Sequence, residues 1–95
     1  MVPIEEVYAQ IAEMAARHKA TRVTLFGSRA RGTELPKSDI DIAVEGCPDF
    51  NGLWDDLQEN LWSLLRVDVV NLDDEVSEEL RQEIARDGRV LYEEV

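Results

Sequence analysis

The sequence has little of what several protein classes depend on. It contains one cysteine, Cys47, among 95 residues, so no disulfide can form within the chain, which suits a reducing cytoplasm. No apolar run approaches the roughly 18–20 residues that span a bilayer, and no signal peptide opens the chain. With 44% hydrophobic residues, five glycines and three prolines, the composition excludes disorder and collagen-like repeats. We therefore expect a single cytoplasmic domain over residues 1–95, without a membrane partner.

Positive charge is also scarce. The chain contains ten lysines and arginines and 21 aspartates and glutamates, which gives a net charge of −11. Residues 1–48 hold seven acids and six bases, whereas residues 49–95 hold fourteen acids and four bases. A surface of this sign repels phosphate backbones, so we expect no stable nucleic-acid binding. The acidic half suggests a basic partner, or only a need for solubility.

The pattern of apolar residues alternates between helix and strand spacing, which predicts an α/β fold with helices covering a small sheet. Predicted strands cover 21–26, 39–44, 67–72 and 90–92, the last at a sheet edge. Predicted helices cover 3–19, 49–65 with Asp49 as N-cap, and a last helix from a cap at Asp73 or Asp74 to about 86.

Helical spacing over 49–65 also sorts the side chains of that region. Trp54 and Leu64 fall on the apolar stripe and are predicted to be buried. Trp62 lies about 120° from the stripe, either at its margin or as an exposed anchor for a partner. Elsewhere, we expect His18 to be partly buried with its polar atoms satisfied, and Glu83 to lie on a solvated helix face.

Two aspartates lie in the second predicted strand, within Asp39-Ile40-Asp41-Ile42. Successive side chains of a strand point to opposite faces, so Asp39 and Asp41 share one face, about 7 Å apart. Carboxylates so placed repel each other, and hard oxygen ligands of this kind suit Mg²⁺, which binds through one or two carboxylates plus substrate phosphates. A strand with one solvated face is the alternative interpretation.

A glycine loop follows the first predicted strand, as Gly27-Ser28-Arg29-Ala30-Arg31-Gly32. Glycine lets the backbone approach a phosphate closely, and backbone N–H groups and the Ser28 hydroxyl can hold it. Arg29 and Arg31 could neutralise phosphate charge. The lysine-containing phosphate loop and the Gly-x-Gly-x-x-Gly fingerprint are both absent, and an ordinary tight turn is the alternative.

Loop and acids together resemble a known signature. Phe26-Gly27-Ser28, ten further residues and Asp39-Ile40-Asp41-Ile42 resemble the DNA polymerase β-like nucleotidyltransferase superfamily. The fuller string, with Arg31-Gly32 and Ser38-Asp39, is similar to the minimal nucleotidyltransferase, or MNT, group of small prokaryotic proteins. The superfamily pattern adds a third carboxylate on a following strand, and Asp68 occupies that place. The resemblance implies a polymerase β-like fold, a small mixed sheet covered by helices.

The same resemblance implies an enzyme and a chemistry. Asp39, Asp41 and Asp68 would be catalytic and would bind two Mg²⁺ ions. Residues expected to bind the nucleotide, ATP, are Gly27, Ser28, Arg29 and Arg31. Attack at the α-phosphorus would transfer AMP and release pyrophosphate.

The resemblance also implies a partner. Proteins of the MNT group pair with helical HEPN-type proteins in toxin–antitoxin modules, and some attach AMP to a tyrosine of the ribonuclease toxin. Because all three acids are present, we favour this catalytic antitoxin. Two alternatives remain open: an antitoxin that acts by binding alone, and a nucleotidyltransferase that modifies a small molecule with the help of a partner subunit.

Overall fold

The computed structural model describes residues 2–94, which form four helices and four strands. In chain order these are α1 (Ile4–Arg17), β1 (Arg22–Phe26), α2 (Ser28–Arg31), β2 (Ile40–Glu45), α3 (Phe50–Glu59), β3 (Val67–Asn71), α4 (Glu78–Asp87) and β4 (Arg89–Glu93). The predicted alternation is confirmed, and the glycine loop contains an additional short helix, α2. Across residues 2–94, no helix combines the length and apolar character needed to cross a membrane.

The strands form one sheet in the order β3-β2-β1-β4. Strand β1 pairs antiparallel with β2 and β4, whereas β2 pairs parallel with β3. The sheet is therefore mixed, as the resemblance implied, and β4 lies at an edge, as predicted. Because β2 and β3 run in the same direction, the residues at their starts meet at one end of the sheet.

The two faces of the sheet pack against different helices. On one face of β2, the buried side chains pack with α1 and α3. These residues are Ile40, Ile42 and Val44. Side chains alternate along a strand, so Asp41 and Ala43 lie on the opposite face, where Ala43 packs with Ile84 of α4. The alternation predicted for this strand is confirmed, and it places Asp41 on the face that α4 covers.

Helix α3 is shorter than predicted. Its predicted cap is confirmed, because the Asp49 carboxylate accepts a hydrogen bond from Gly52 N at 3.3 Å. The helix ends at Glu59, not at residue 65. Asn60 is the C-cap: its backbone N–H donates to Asp56 O at 2.8 Å, and its side-chain amide donates to Asp56 Oδ1 at 2.7 Å. Residues 60–66 then run to β3 without helical structure.

Two burial predictions for this region were wrong for the same reason. Trp54 is 44% exposed and Leu64 is fully exposed. Since the chain leaves the helix after Glu59, Leu61 and Leu65 pack against the core in place of Leu64. Trp62 is 75% exposed. Of its two predicted positions, at the margin of the stripe or exposed to solvent, the exposed one is therefore correct.

Helix α4 begins later than predicted, at Glu78. The Ser77 hydroxyl caps it by accepting from Leu80 N at 3.2 Å. Asp73 is not the cap, because its carboxylate accepts from Gly46 N at 3.0 Å and so fastens the turn after β2.

His18 joins the end of α1 to α3. Its Nδ1 lies 2.7 Å from Asp49 Oδ2, and its Nε2 lies 3.0 Å from Asp56 Oδ2. The hydrogen bond to Asp49, followed by that to Asp56, raises the pKa of His18 against the opposing effect of burial. The prediction of a partly buried, satisfied histidine is confirmed.

Candidate active site

The predicted phosphate loop is a single helical turn between two glycines with positive φ. Gly27 (φ 75°) follows β1 directly, and Gly32 (φ 77°) ends α2. The backbone N–H groups of Ala30 and Arg31 both donate to Gly27 O at 3.1 Å. Ser28, half-buried, is the first residue of this turn. The turn thus presents Ser28 directly where strand β1 ends.

Gly27 packs against one of the predicted acids. Antiparallel pairing sets Phe26 opposite Asp41, so the next residue of the loop meets the Asp41 side chain. A Cβ on Gly27 would overlap Asp41 Oδ2 and lie 3.2 Å from its Cγ. The structure therefore brings the loop and this carboxylate together, and a larger residue at position 27 would displace the carboxylate and strain the backbone at φ 75°.

Asp41 and Asp68 face each other across the β2–β3 pair. They are direct partners in the parallel register, and both are half-buried. Burial is the main cause that raises the pKa of Asp41, and the negative charges of Asp68, Asp39 and Glu83 raise it further. Asp68 in turn pairs with Arg66, with 3.1 Å between Oδ1 and Nε. The negative charge of Asp68 thus acts directly on the half-buried carboxylate of Asp41.

Asp39 lies at the margin of this pair. It is exposed and immediately precedes β2, one residue outside the strand that was predicted to contain it. Within residues 2–94, no three His, Cys, Asp or Glu side chains converge closely enough to form a ready metal cluster. The donor chemistry nevertheless fits Mg²⁺, because neighbouring carboxylates repel one another and are stabilised by a shared divalent cation.

The two arginines predicted to bind phosphate have different surroundings. Arg29 is buried, and its guanidinium donates to backbone carbonyls, Nε to Ser38 O at 3.0 Å and Nη2 to Pro36 O at 3.3 Å. Arg31 is exposed at the end of the turn, and its charge contributes to lowering the pKa of Asp87, an effect due first to Arg86. Only Arg31 is open to a ligand in solution.

Comparison with known proteins identifies the family. The family model described as polymerase beta, nucleotidyltransferase matches residues 9–95. The chain belongs to this nucleotidyltransferase family. The family carries the fold that the sequence resemblance implied, with its small mixed sheet and covering helices. No curated protein matches this chain.

The chain is also similar to solved structures of nucleotidyltransferases and toxin–antitoxin complexes. A chain of a toxin–antitoxin crystal structure with AMP-PNP is 30% identical with a TM-score of 0.74, over 92% of this nucleotidyltransferase and 73% of that chain. A chain of the tri-AMPylated Shewanella oneidensis HEPN toxin in complex with MNT antitoxin is 27% identical, with a TM-score of 0.67, over 95% and 72%. A minimal nucleotidyltransferase is 28% identical, with a TM-score of 0.70, over 90% of both chains.

Two residues near the site carry no sequence signal. Tyr8 of α1 is buried; burial raises its pKa, and the neighbouring Arg29 guanidinium opposes that rise. Glu83 of α4 is half-buried and contributes negative charge to Asp41, so the prediction that it lies on a solvated face was wrong. Both approach the loop and acids only through tertiary packing, which spacing along the sequence does not reveal.

Proposed function

We propose that this nucleotidyltransferase is a Mg²⁺-dependent antitoxin that transfers AMP from ATP to a tyrosine of a HEPN-type toxin and so neutralises it. The observation that carries the proposal is the packing of the Gly27 backbone against Asp41 opposite Asp68, because it joins a phosphate-binding turn to paired carboxylates. The similarity to chains from structures with AMP-PNP and with a tri-AMPylated toxin supports the choice of nucleotide and acceptor.

The carboxylates provide the metal-binding part of the proposal. Asp41 and Asp68, direct neighbours in the sheet, would hold Mg²⁺ together with the more exposed Asp39, in two sites. Bound Mg²⁺ would neutralise triphosphate charge and lower the pKa of the attacking hydroxyl. Asp68 would exchange its ion pair with Arg66 for this role, a change that costs little because both side chains are partly exposed.

The turn after β1 would bind the triphosphate. Gly27 allows the close approach of backbone and phosphate, and the Ser28 hydroxyl would donate to a phosphate oxygen. Arg31, exposed beside the turn, would balance the charge of the departing phosphates. Arg29 would act indirectly: its bonds to Ser38 O and Pro36 O hold the segment that leads into Asp39.

The transfer itself is a single displacement at the α-phosphorus. The acceptor tyrosine oxygen would form a bond to the α-phosphorus of ATP while the bond to the bridging oxygen of the β-phosphate breaks. AMP becomes esterified to the tyrosine, and pyrophosphate leaves with the bonding electron pair. In this proposal Asp68 accepts the proton of the tyrosine hydroxyl, and catalysis comes mainly from positioning and electrostatics.

Intact mass spectrometry tests the proposal directly. The chain, ATP, Mg²⁺ and the cognate HEPN-type protein should together give a partner whose mass increases by one or more AMP groups. The Asp41→Asn variant is the matched control, since it keeps the shape of the side chain and loses the charge. A partner that binds tightly but keeps its mass, with each of the four ribonucleotides in turn, would make this an antitoxin that acts by binding alone.

A small-molecule acceptor is tested in the same reaction. If pyrophosphate is released only when the partner is present, but the mass of the partner does not change, AMP has been transferred to an acceptor other than the partner. The nucleotidyltransferase would then use its partner as a subunit that completes an acceptor pocket.

A further inference from the structure

The chain between α3 and β3 exposes two large apolar side chains. We refer to residues 60–66 as the connecting segment. Trp62 is 75% exposed within it, and Leu64 is fully exposed. Leu61 and Leu65 of the same segment pack against the core, so the segment presents one pair of apolar side chains outward while it buries another.

Hydrogen bonds hold the connecting segment in this conformation. Trp62 N donates to Gln10 Oε1 of α1 at 2.9 Å. Leu65 N donates to Ser63 Oγ at 3.0 Å. At its end, Arg66 O accepts from Ile40 N at 2.8 Å. The segment that carries the two exposed side chains is therefore bonded to α1 and β2 and braced by one bond of its own, so that a partner that binds it has less ordering to do.

The connecting segment borders the candidate active site. It leads into β3, whose first residue, Val67, pairs with Ile40 next to Asp39. Its last residue, Arg66, forms the ion pair with Asp68. A partner bound to the connecting segment would therefore lie next to the start of β3, the strand that contains Asp68.

The charge around the connecting segment favours a basic partner. Asp55 and Glu59 lie one helical turn apart on the exposed side of α3, directly before the segment, and like charges at this spacing repel. Asp39 is exposed at the end of the sheet where β2 and β3 begin. Lysine or arginine side chains on a partner would relieve this repulsion and would speed association.

We infer that the connecting segment is the docking site for the protein that carries the acceptor hydroxyl. Trp62 and Leu64 would enter an apolar pocket of that protein, and basic residues around the pocket would meet Asp55, Glu59 and Asp39. The inference rests on the proposed function for the identity of the partner. An exposed tryptophan and leucine in one short segment that follows the acids of α3 match the composition of a binding hot spot with a polar rim.

Binding measurements with single substitutions test the inference. Trp62→Ser and Leu64→Ser are compared with Val90→Ser, which removes a 54% exposed apolar residue from β4, at the opposite edge of the sheet. Calorimetry with the cognate HEPN-type protein should show at least about 30-fold weaker binding for Trp62→Ser. Val90→Ser should bind like the wild type, and all variants should bind AMP-PNP with Mg²⁺ equally well.

Several results would overturn the inference. One is equal affinity of Trp62→Ser and Val90→Ser for the partner. Another is a loss of AMP-PNP affinity in Trp62→Ser without the partner, which would assign the tryptophan to the nucleobase. A third is sedimentation showing a dimer of the wild-type chain that Trp62→Ser dissociates, which would assign the segment to a second copy.

The proposed function fails separately from the docking inference. If the wild type binds the partner without transferring AMP, and Trp62→Ser weakens that binding, docking is supported and the catalytic proposal is overturned. If Trp62→Ser binds and transfers AMP as the wild type does, the catalytic proposal is supported and docking at the connecting segment is overturned.

Discussion

The carboxylate of Asp41 occupies the space that a side chain on Gly27 would need, with its Cγ 3.2 Å from the position of a Cβ. This approach fixes the phosphate-binding turn against one of the predicted metal ligands. Strand pairing produces it, because Phe26 lies opposite Asp41 in the register of β1 and β2. The turn and the acid therefore depend on each other, and a change at either residue should affect nucleotide binding.

We first predict that Gly27→Ala weakens AMP-PNP binding, in the presence of Mg²⁺, at least about tenfold. The added methyl group must displace the Asp41 carboxylate. Gly32→Ala is the control, because it adds a methyl group to the same turn at a similar φ, 77° against 75°, where no atom lies within 4 Å. It should lose stability, by about 1–2 kcal/mol for left-handed backbone, and keep its affinity. Equal losses of affinity in both variants would reduce the turn to a purely structural element.

We next predict that Asp41→Asn abolishes transfer and yet raises the thermal midpoint in EDTA. Burial and the charges of Asp68, Asp39 and Glu83 raise the pKa of Asp41, so its ionised form destabilises the metal-free fold at neutral pH. Transfer should fall at least about 100-fold, because even residues that only support metal ligands account for 10–100-fold. Asp74→Asn, which removes an exposed charge from the segment before α4, is the control. A lower midpoint for Asp41→Asn would show that the acid is structural.

Much of the fold could be predicted because its signals are local. The first strand is a run of β-branched and apolar residues that stops at Gly27, and the Asp39-Ile40-Asp41-Ile42 string carries its own alternation. Such patterns depend only on residue type and spacing. These local patterns predicted the order of the elements and which side chains of β2 share a face. The family resemblance predicted the mixed sheet.

The end of α3 could not be predicted in this way. Apolar residues keep helical spacing as far as Leu64, but the chain leaves the helix at Asn60. The contact that holds the new course, from Trp62 N to Gln10 Oε1, joins residues 52 positions apart. The burial of Arg29 was missed for the same reason, because it also depends on tertiary packing. An arginine in a glycine loop suits phosphate binding, but here the side chain is covered by Pro36, Ser38 and α1. Long-range packing therefore decided the features that local patterns missed.

A third prediction separates the two arginines of the turn. Arg29→Lys should lose about 1–3 kcal/mol of stability, because the lysine ammonium lacks the planar fork of donors with which Nε and Nη2 of Arg29 reach Ser38 O and Pro36 O. Arg31→Lys should keep the wild-type stability, since Arg31 is exposed, and Arg31→Gln should raise the KM for ATP. Thermal unfolding and steady-state kinetics measure both effects. An unchanged midpoint for Arg29→Lys, with a raised KM alone, would assign Arg29 to the nucleotide.

The last prediction concerns pH and the His18 contact between α1 and α3. The hydrogen bonds and charges of Asp49 and Asp56 raise the pKa of His18 above 6.5, while Arg17, 3.5 Å from Asp56 Oδ2, competes for one of the two carboxylates. A raised pKa means that protonated His18 stabilises the fold below about pH 6.5 and that this contribution disappears as pH rises through the folded pKa.

We therefore expect the stability difference between the wild type and His18→Gln to be largest near pH 6 and to shrink by pH 8. Partly exposed ion pairs contribute about 0.5–1 kcal/mol, which is about 2–8 °C in thermal midpoint for a domain of this size. Taking the difference between the two proteins at each pH cancels the titration of groups that they share. A difference that stays constant from pH 5.5 to 8.5 would mean that neutral hydrogen bonds, and not the charge of His18, join the two helices.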